Sequence, residues 1–210
     1  MGARHRRSGT PSQRGAAARG ARGVFGKAAQ DMFRLSKNGK RVDYLEPNQR
    51  VRDRAKKYTF KDGAKGRRPH VKSNKVPPGS SDLSRATQQA RHRNQDTSAK
   101  NYAAYRYIDK DGNEGILVGR SQGTHSERSA GSLLLDEMQK GNIRKVTEVY
   151  TERAPCSPNK GNCDEWLYAH FAKNDPNFKV SHSWNYDGTD GTNAQVSGKI
   201  RTYARGLLGR

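Results

Sequence analysis

The chain has 210 residues, enough for one domain of ordinary size with tails. Hydrophobic residues make up only 31% of it, against an ordinary ~45–50%, so part of the chain is expected to bury too little apolar surface to fold. The formal net charge of +21 indicates a polyanionic partner, and the lack of an apolar run of about 18 residues excludes a membrane-spanning helix.

The positive charge is concentrated in the N-terminal half. Residues 1–100 contain 26 Lys and Arg against 7 Asp and Glu, whereas residues 101–210 contain 15 against 13. Such a segment is expected to bind nucleic-acid phosphates by counterion release. A solvated tail without a specific partner and a segment that binds an acidic protein are the alternatives.

The composition of residues 1–100 predicts a basic, low-complexity and largely disordered arm and linker. Residues 1–23 are mostly Arg, Gly, Ala and Ser. The apolar residues of 24–60 follow neither a helical nor a strand period for long, which allows short helical turns docked on the core but no independent domain. Residues 61–100 predict a linker with a short helix over Asp82–Arg93.

Regular structure is expected from Asn101 onward. An Asp-Gly turn predicts a hairpin of the first two strands, and β-branched residues or four-residue apolar spacing mark the later elements. The predicted elements are strand Tyr102–Ile108, strand Ile116–Gly119, helix His125–Gln139, strand Lys145–Arg153, helix Asp164–Lys173, strand Phe178–Tyr186, and a helix or strand over Gln195–Leu208. This alternation predicts an α/β fold in which helices cover a mixed sheet.

Three residues supply the ligand set of a zinc site that leaves one position open. His125 opens a predicted helix, Cys156 follows a predicted strand, and Cys163 begins the next helix. Partial positive charge at a helix start favours a thiolate. Glu127, two residues after His125, could move protons for an activated water, although taken alone it could equally be a carboxylate that stabilises the helix dipole.

The two cysteines also allow other interpretations. They could form a disulfide, or they could belong to a closed structural zinc site. A closed site needs a fourth ligand, for which His170 and His182 are the candidates.

The pattern resembles the cytidine deaminase-like superfamily, and more closely its bacterial polymorphic-toxin branch of nucleic-acid and nucleotide deaminases. The resemblance is carried by HSER at 125–128, by VYTERAPC at 149–156 and by Cys163, and it covers about residues 100–210. Six residues separate the cysteines, whereas the most widespread form of the motif has two residues between them. The longer spacer favours the toxin branch over the housekeeping nucleoside enzymes.

The resemblance implies a three-layer fold, with a mixed five-stranded sheet flanked by helices and Zn2+ between two of them. It implies that His125, Cys156 and Cys163 hold the zinc. It further implies attack by zinc hydroxide at C4 of cytosine or C6 of adenine, with Glu127 moving the protons. The backbone near Ala154 would contact the amino group.

Further substrate contacts are expected around this site. Arg128 and Arg153 could meet phosphate or pair with Glu152, with plain surface ion pairs as the alternative. Trp184 and Tyr186, near the end of the last strand, could stack a base, although aromatic residues at strand spacing more often belong to a core.

The leading hypothesis is a zinc-dependent deaminase domain at residues 101–210 that converts cytosine to uracil in nucleic acid, DNA being favoured over RNA, as an interbacterial toxin. One rival is a deaminase of free nucleosides or nucleotides, and another is a basic nucleic-acid-binding protein with a structural zinc. We expect a monomer, made in the bacterial cytoplasm and exported to act in the target-cell cytoplasm, with no cleavable secretory signal. A cognate immunity protein is expected to cover the zinc cleft.

Overall fold

The computed structural model describes residues 23–36, 39–59, 68–157, 161–187 and 189–210. Seven strands lie in these ranges: β1 Met32–Arg34, β2 Arg41–Leu45, β3 Asn74–Lys75, β4 Tyr102–Asp109, β5 Glu114–Arg120, β6 Ile143–Arg153 and β7 Lys179–Trp184. The α-helices there are α1 Gln49–Lys56, α2 Asp82–Asn94, α3 Ser126–Gln139, α4 Cys163–His170 and α5 Asp190–Leu207, with 3-10 helices at Gly26–Asp31 and Ala172–Asn174. Within the same ranges no helix has the length and apolarity that crossing a membrane requires.

The described strands form one mixed sheet in the order β1-β2-β5-β4-β6-β7-β3. β4 is antiparallel to both β5 and β6, and β1 is antiparallel to β2. The pairs β2–β5, β6–β7 and β3–β7 are parallel. The prediction of an α/β fold with a mixed sheet flanked by helices is confirmed.

Helices cover both faces of the sheet because alternate side chains of a strand point to opposite sides. Tyr105 and Tyr107 of β4 belong to the core beneath α1, α3 and α4. Tyr102 and Ala104 belong to the core beneath α2. The C-terminal segment, for which the sequence left helix and strand open, is the helix α5, and the Tyr203 hydroxyl of α5 accepts a 2.8 Å hydrogen bond from Gln88 of α2.

The resemblance implied a sheet of five strands, whereas the described residues form a sheet of seven. The additional strands β1, β2 and β3 all come from residues before 100. β2 is hard to recognise because Val42, Tyr44 and Leu45 are all buried, so that the strand lacks the alternation of apolar and polar residues typical of a half-exposed strand.

The expectation of a largely disordered N-terminal segment is wrong for the described residues before 100. Phe25, Val51 and Leu83 are each at most 1% exposed and pack into the two cores. These few apolar residues suffice because they pack on a sheet face that later residues supply. The helix expected over Asp82–Arg93 is present as α2. Residues 1–22, 37–38 and 60–67, on which the same expectation falls, lie outside the described residues.

A buried ion pair joins α2 to β6. Arg91 donates from Nε and Nη2 to the two carboxylate oxygens of Glu152, at 2.7 and 2.8 Å, and both side chains are at most 1% exposed. The remaining N–H groups of Arg91 bond the carbonyls of Asp96, Ser98 and Lys100 at 2.8–3.1 Å. All five donors of this guanidinium are therefore satisfied.

We predict that Arg91→Met lowers the free energy of unfolding by about 3–5 kcal/mol, because it leaves the carboxylate of Glu152 buried without its counter-charge. Urea denaturation of the full chain measures the change. Arg85→Ala, an exposed arginine on the same helix, is the control and should change stability by less than about 0.5 kcal/mol. Equal stability of the two variants would contradict the role assigned to Arg91.

Candidate active site

His125, Cys156 and Cys163 meet at one edge of the sheet. His125 is the N-cap of α3, Cys163 is the first residue of α4, and Cys156 lies three residues beyond the end of β6. Their ligand atoms all lie within 4.8 Å of one another, and His125 Nδ1 is 3.4 Å from Cys156 Sγ. Among the described residues this is the group of His, Cys and carboxylate side chains that can hold a metal ion.

The donor set fits a zinc ion. Both cysteines are free thiols and buried. Hydrogen bonding from Cys163 and from His125 lowers the pKa of Cys156, whereas the bond to Cys156 and burial raise the pKa of Cys163, so Cys156 is the first of the pair to lose its proton. One imidazole and two thiolates are ligands that zinc prefers, and three protein ligands are typical of catalytic sites.

Gly161, two residues before Cys163, lies against the ring of His125. A Cβ built on Gly161 would lie 2.8 Å from His125 Nε2 and 3.5 Å from Cys156 Sγ, and the backbone φ of +139° is one that side-chain-bearing residues rarely adopt. Arg128 of α3 donates a hydrogen bond to the Gly161 carbonyl. The sequence suggested Arg128 as a phosphate contact, but its guanidinium instead bonds the backbone of Gly161.

Glu127 lies beside the cluster in the first turn of α3. It is 2% exposed, and its two carboxylate oxygens accept hydrogen bonds from Ser126 Oγ at 3.0 Å and from Thr151 Oγ1 at 3.3 Å. Burial raises the pKa of Glu127 above its usual range. The carboxylate can therefore hold or release a proton where a metal would activate water.

A cleft of about 570 Å³ opens onto these groups. His125, Glu127 and Cys156 line it together with residues 99–101, the loop 121–124, Arg153, Ala154 and Tyr186. Among the described residues of this wall, Lys100 and Arg153 are positively charged and Glu127 is the one carboxylate. The volume is sufficient for a nucleoside-sized ligand.

The other substrate contacts suggested by the sequence are only partly brought to this cleft. Ala154 and Tyr186 line it. Trp184 does not lie on the wall formed by the described residues; its ring packs on Tyr203 of α5 at a centroid distance of 5.0 Å. The suggested pairing of Glu152 with Arg128 or Arg153 is wrong, since Glu152 pairs with Arg91.

Neither alternative fourth ligand joins the cluster. The His170 ring packs on Trp166 at 4.8 Å. His182 is 2.7 Å from Ser73 Oγ through Nδ1 and 3.1 Å from Asn185 Oδ1 through Nε2. Within the described part of the chain, the three-residue cluster therefore keeps the character of an open site.

Sequence analysis missed several residues that build the site. Ser126 and Thr151 donate hydrogen bonds to Glu127, Asn101 donates to both of these hydroxyls, and Lys100 lines the cleft. The hydroxyl of Ser126, next to Glu127 in the chain, was the one local signal. Asn101 lies 25 residues from Ser126 and 50 from Thr151, and Thr151 lies 24 from Glu127, so no local pattern indicated these contacts.

The comparison with protein families identifies the class of this chain. The sequence model of the Xanthomonas-like deaminase family matches residues 98–202, half of the chain, and the match includes the cluster and Glu127. The chain is a deaminase-type α/β protein with a His-Cys-Cys cluster. It belongs to the Xanthomonas-like deaminase family. Neither a curated protein nor a solved structure matched it.

We predict that Gly161→Ala weakens zinc binding about 10- to 100-fold, because the new Cβ displaces a ligand ring and strains the loop. Competition with a chromophoric chelator measures the affinity. Gly198→Ala, on α5 where a Cβ meets nothing within 4 Å, is the matched control and should bind zinc like the parent chain. Unchanged zinc affinity in Gly161→Ala would refute the role of this glycine.

Proposed function

We propose that this protein is a zinc-dependent hydrolytic deaminase that converts cytosine to uracil in nucleic acid, with DNA as the favoured substrate. We also propose that its fold is of the cytidine deaminase-like three-layer type. The observation that carries the proposal is the buried Glu127 carboxylate beside a three-ligand cluster, both facing one cleft in a chain of a deaminase family.

His125, Cys156 and Cys163 would hold the zinc ion and leave its fourth position open towards the cleft. When bound, zinc supplies Lewis-acid activation of water. The placement of His125 and Cys163 at two helix starts, with both cysteines buried, fixes the three side chains before any substrate arrives, which reduces the reorganisation that the reaction needs.

Glu127 would act as the proton carrier. One carboxylate oxygen takes a proton from the attacking water and delivers it to the pyrimidine ring nitrogen, and a further proton passes to the departing amine. A C–O bond replaces the C–N bond at C4, and ammonia leaves. Because both oxygens of Glu127 accept a hydroxyl hydrogen bond, the carboxylate keeps one orientation throughout these transfers.

The backbone at Ala154 would contact the amino group through its carbonyl. The amide N–H of Ala154 already donates to the Trp184 carbonyl at 2.8 Å, so the carbonyl oxygen is the group that can accept from the substrate. Tyr186, which lines the same cleft, offers an aromatic face for stacking the base.

Positive charge around the cleft favours a phosphate-bearing substrate over a free nucleoside. Exposed Lys100 forms no ion pair with an acid of the described residues. The Arg153 guanidinium bonds only neutral groups there, among them the Ala99 carbonyl at 2.8 Å. Arg52 bonds the neutral Gln49 side chain, and its stem lies against Gly123 of the rim loop.

The interbacterial toxin role, the export to a target cell and the cognate immunity protein stay proposals. They are supported by the similarity of the HSER and VYTERAPC stretches to the polymorphic-toxin branch. An immunity protein with acidic residues would complement a cleft whose wall contains Lys100 and Arg153. The proposed separation of residues 1–100 as a binding arm and 101–210 as the catalytic domain also stays a prediction.

We predict that Glu127→Gln lowers kcat at least 10²-fold, because the amide cannot accept and return a proton, while zinc content is retained. The assay uses single- and double-stranded DNA, RNA, cytidine and adenosine, with ammonia release and base composition as readouts. Glu148→Gln, a carboxylate on β6 that bonds Arg106, is the control. A chain that keeps stoichiometric zinc and deaminates none of these substrates would support the structural-zinc alternative instead.

We predict that the double variant Arg52→Ala/Lys100→Ala raises KM for a DNA oligonucleotide and reduces the slope of log KM against log salt by about 2, because two phosphate contacts are lost. Deamination of free cytidine should not change. Lys173→Ala/Lys179→Ala removes the same charge away from the cleft wall that the described residues form and is the matched control. Equal losses on cytidine and DNA would favour the free-nucleoside alternative.

A further inference from the structure

Asn101 lies at the start of β4 and reaches both hydroxyl groups that bind Glu127. Its side-chain Nδ2 donates to Ser126 Oγ at 2.9 Å and to Thr151 Oγ1 at 2.7 Å. Ser126 Oγ donates to Glu127 Oε2, and Thr151 Oγ1 donates to Glu127 Oε1. One amide group is thus connected to both oxygens of the carboxylate, through two hydroxyls that are themselves fully buried.

When Glu127 is ionised, the direction of every hydrogen bond in this network is fixed. Asn101 Oδ1 accepts from the backbone N–H of Arg153 at 2.9 Å, and a backbone N–H can only donate. The side-chain nitrogen of Asn101 must therefore face the two hydroxyls, which use their lone pairs to accept. Each hydroxyl is left with one O–H, and the carboxylate oxygens of Glu127 are the acceptors for those protons.

We propose that Asn101 is a positioning residue for the deamination reaction, acting on Glu127 through Ser126 and Thr151. The two hydroxyls hold the carboxylate by both oxygens and fix its rotation relative to the His-Cys-Cys cluster. Asn101 fixes the hydroxyls, and the end of β6 fixes Asn101. The inference rests on the proposed function, since it concerns the geometry of proton transfer by Glu127.

The alternative for Asn101 is direct contact with substrate, because it also lines the cleft. Both N–H donors of the amide and one lone pair of its oxygen are already used inside the protein, which argues against this role. The two roles differ in kinetics. A positioning residue affects kcat with little change in KM, whereas a substrate-binding residue raises KM.

The first experiment compares Thr151→Val with Thr151→Ser. The valine variant keeps the shape but loses the hydroxyl, so we expect kcat to fall about 10-fold or more at unchanged KM, and serine should restore most of it. Thr147→Val is the matched control, because Thr147 lies on the same strand and its hydroxyl has no partner among the described residues. Zinc content and urea denaturation are measured for each variant.

The second experiment adds Asn101→Ala to the chain that already has Ser126→Ala and Thr151→Val. Asn101→Ala alone should lower kcat about 10- to 100-fold. In the doubly substituted chain the same change should cause no further loss, because its two hydrogen-bond partners are gone. A full additional loss, or a raised KM, would overturn the proposal in favour of direct substrate contact.

The parent chain and Glu127→Gln are run in the same assays to distinguish a failure of the proposed function from a failure of the positioning role of Asn101. If the parent chain deaminates nothing, the proposed function fails. If the parent chain is active and Glu127→Gln is not, while Asn101→Ala and Thr151→Val keep the parent kcat, the positioning role fails and the proposed function stands.

Discussion

The buried guanidinium of Arg91 is the constraint on which the cleft depends. Its partner Glu152 lies four residues before Cys156, and its other donors hold the carbonyls of the segment that arrives at Asn101. One side chain thus ties the wall containing Lys100 to the strand that delivers a cysteine of the cluster. A lysine could not replace it, since an ammonium has three donors and no planar fork to match the carboxylate.

The residues of the candidate site come mainly from the first turns of two helices, α3 and α4. The start of α3 supplies both His125 and Glu127, so the separation between a candidate metal ligand and the proposed proton carrier is set by a single turn of backbone. The start of α4 supplies Cys163, and the loop before it supplies Cys156. Such a site has little freedom to adjust, and preorganised groups of this kind contribute most to stabilising charge that develops during a reaction.

The sequence located those side chains of the site whose signals lie close together in the chain. His125, Glu127 and Cys163 could be placed because helix starts and short spacings leave a readable pattern. It failed for β2, which is buried on both faces, and for Arg91, whose partner is 61 residues away. The covering of Trp184 by Tyr203 likewise arises only in three dimensions, and the family motif contains no information about it.

Both flanks of the sheet are closed by strands that come early in the chain. β2 covers one side of β5, and β3 covers one side of β7. Residues 101–210 alone would leave both of those strands with rows of unpaired N–H and C=O groups, which invite pairing between molecules. Since the N-terminal half leaves the ribosome first, its residues are present to pair with β5 and β7 as soon as those strands emerge. The basic half of this protein thereby supplies the backbone partners for two strand edges of the half that the family model matches.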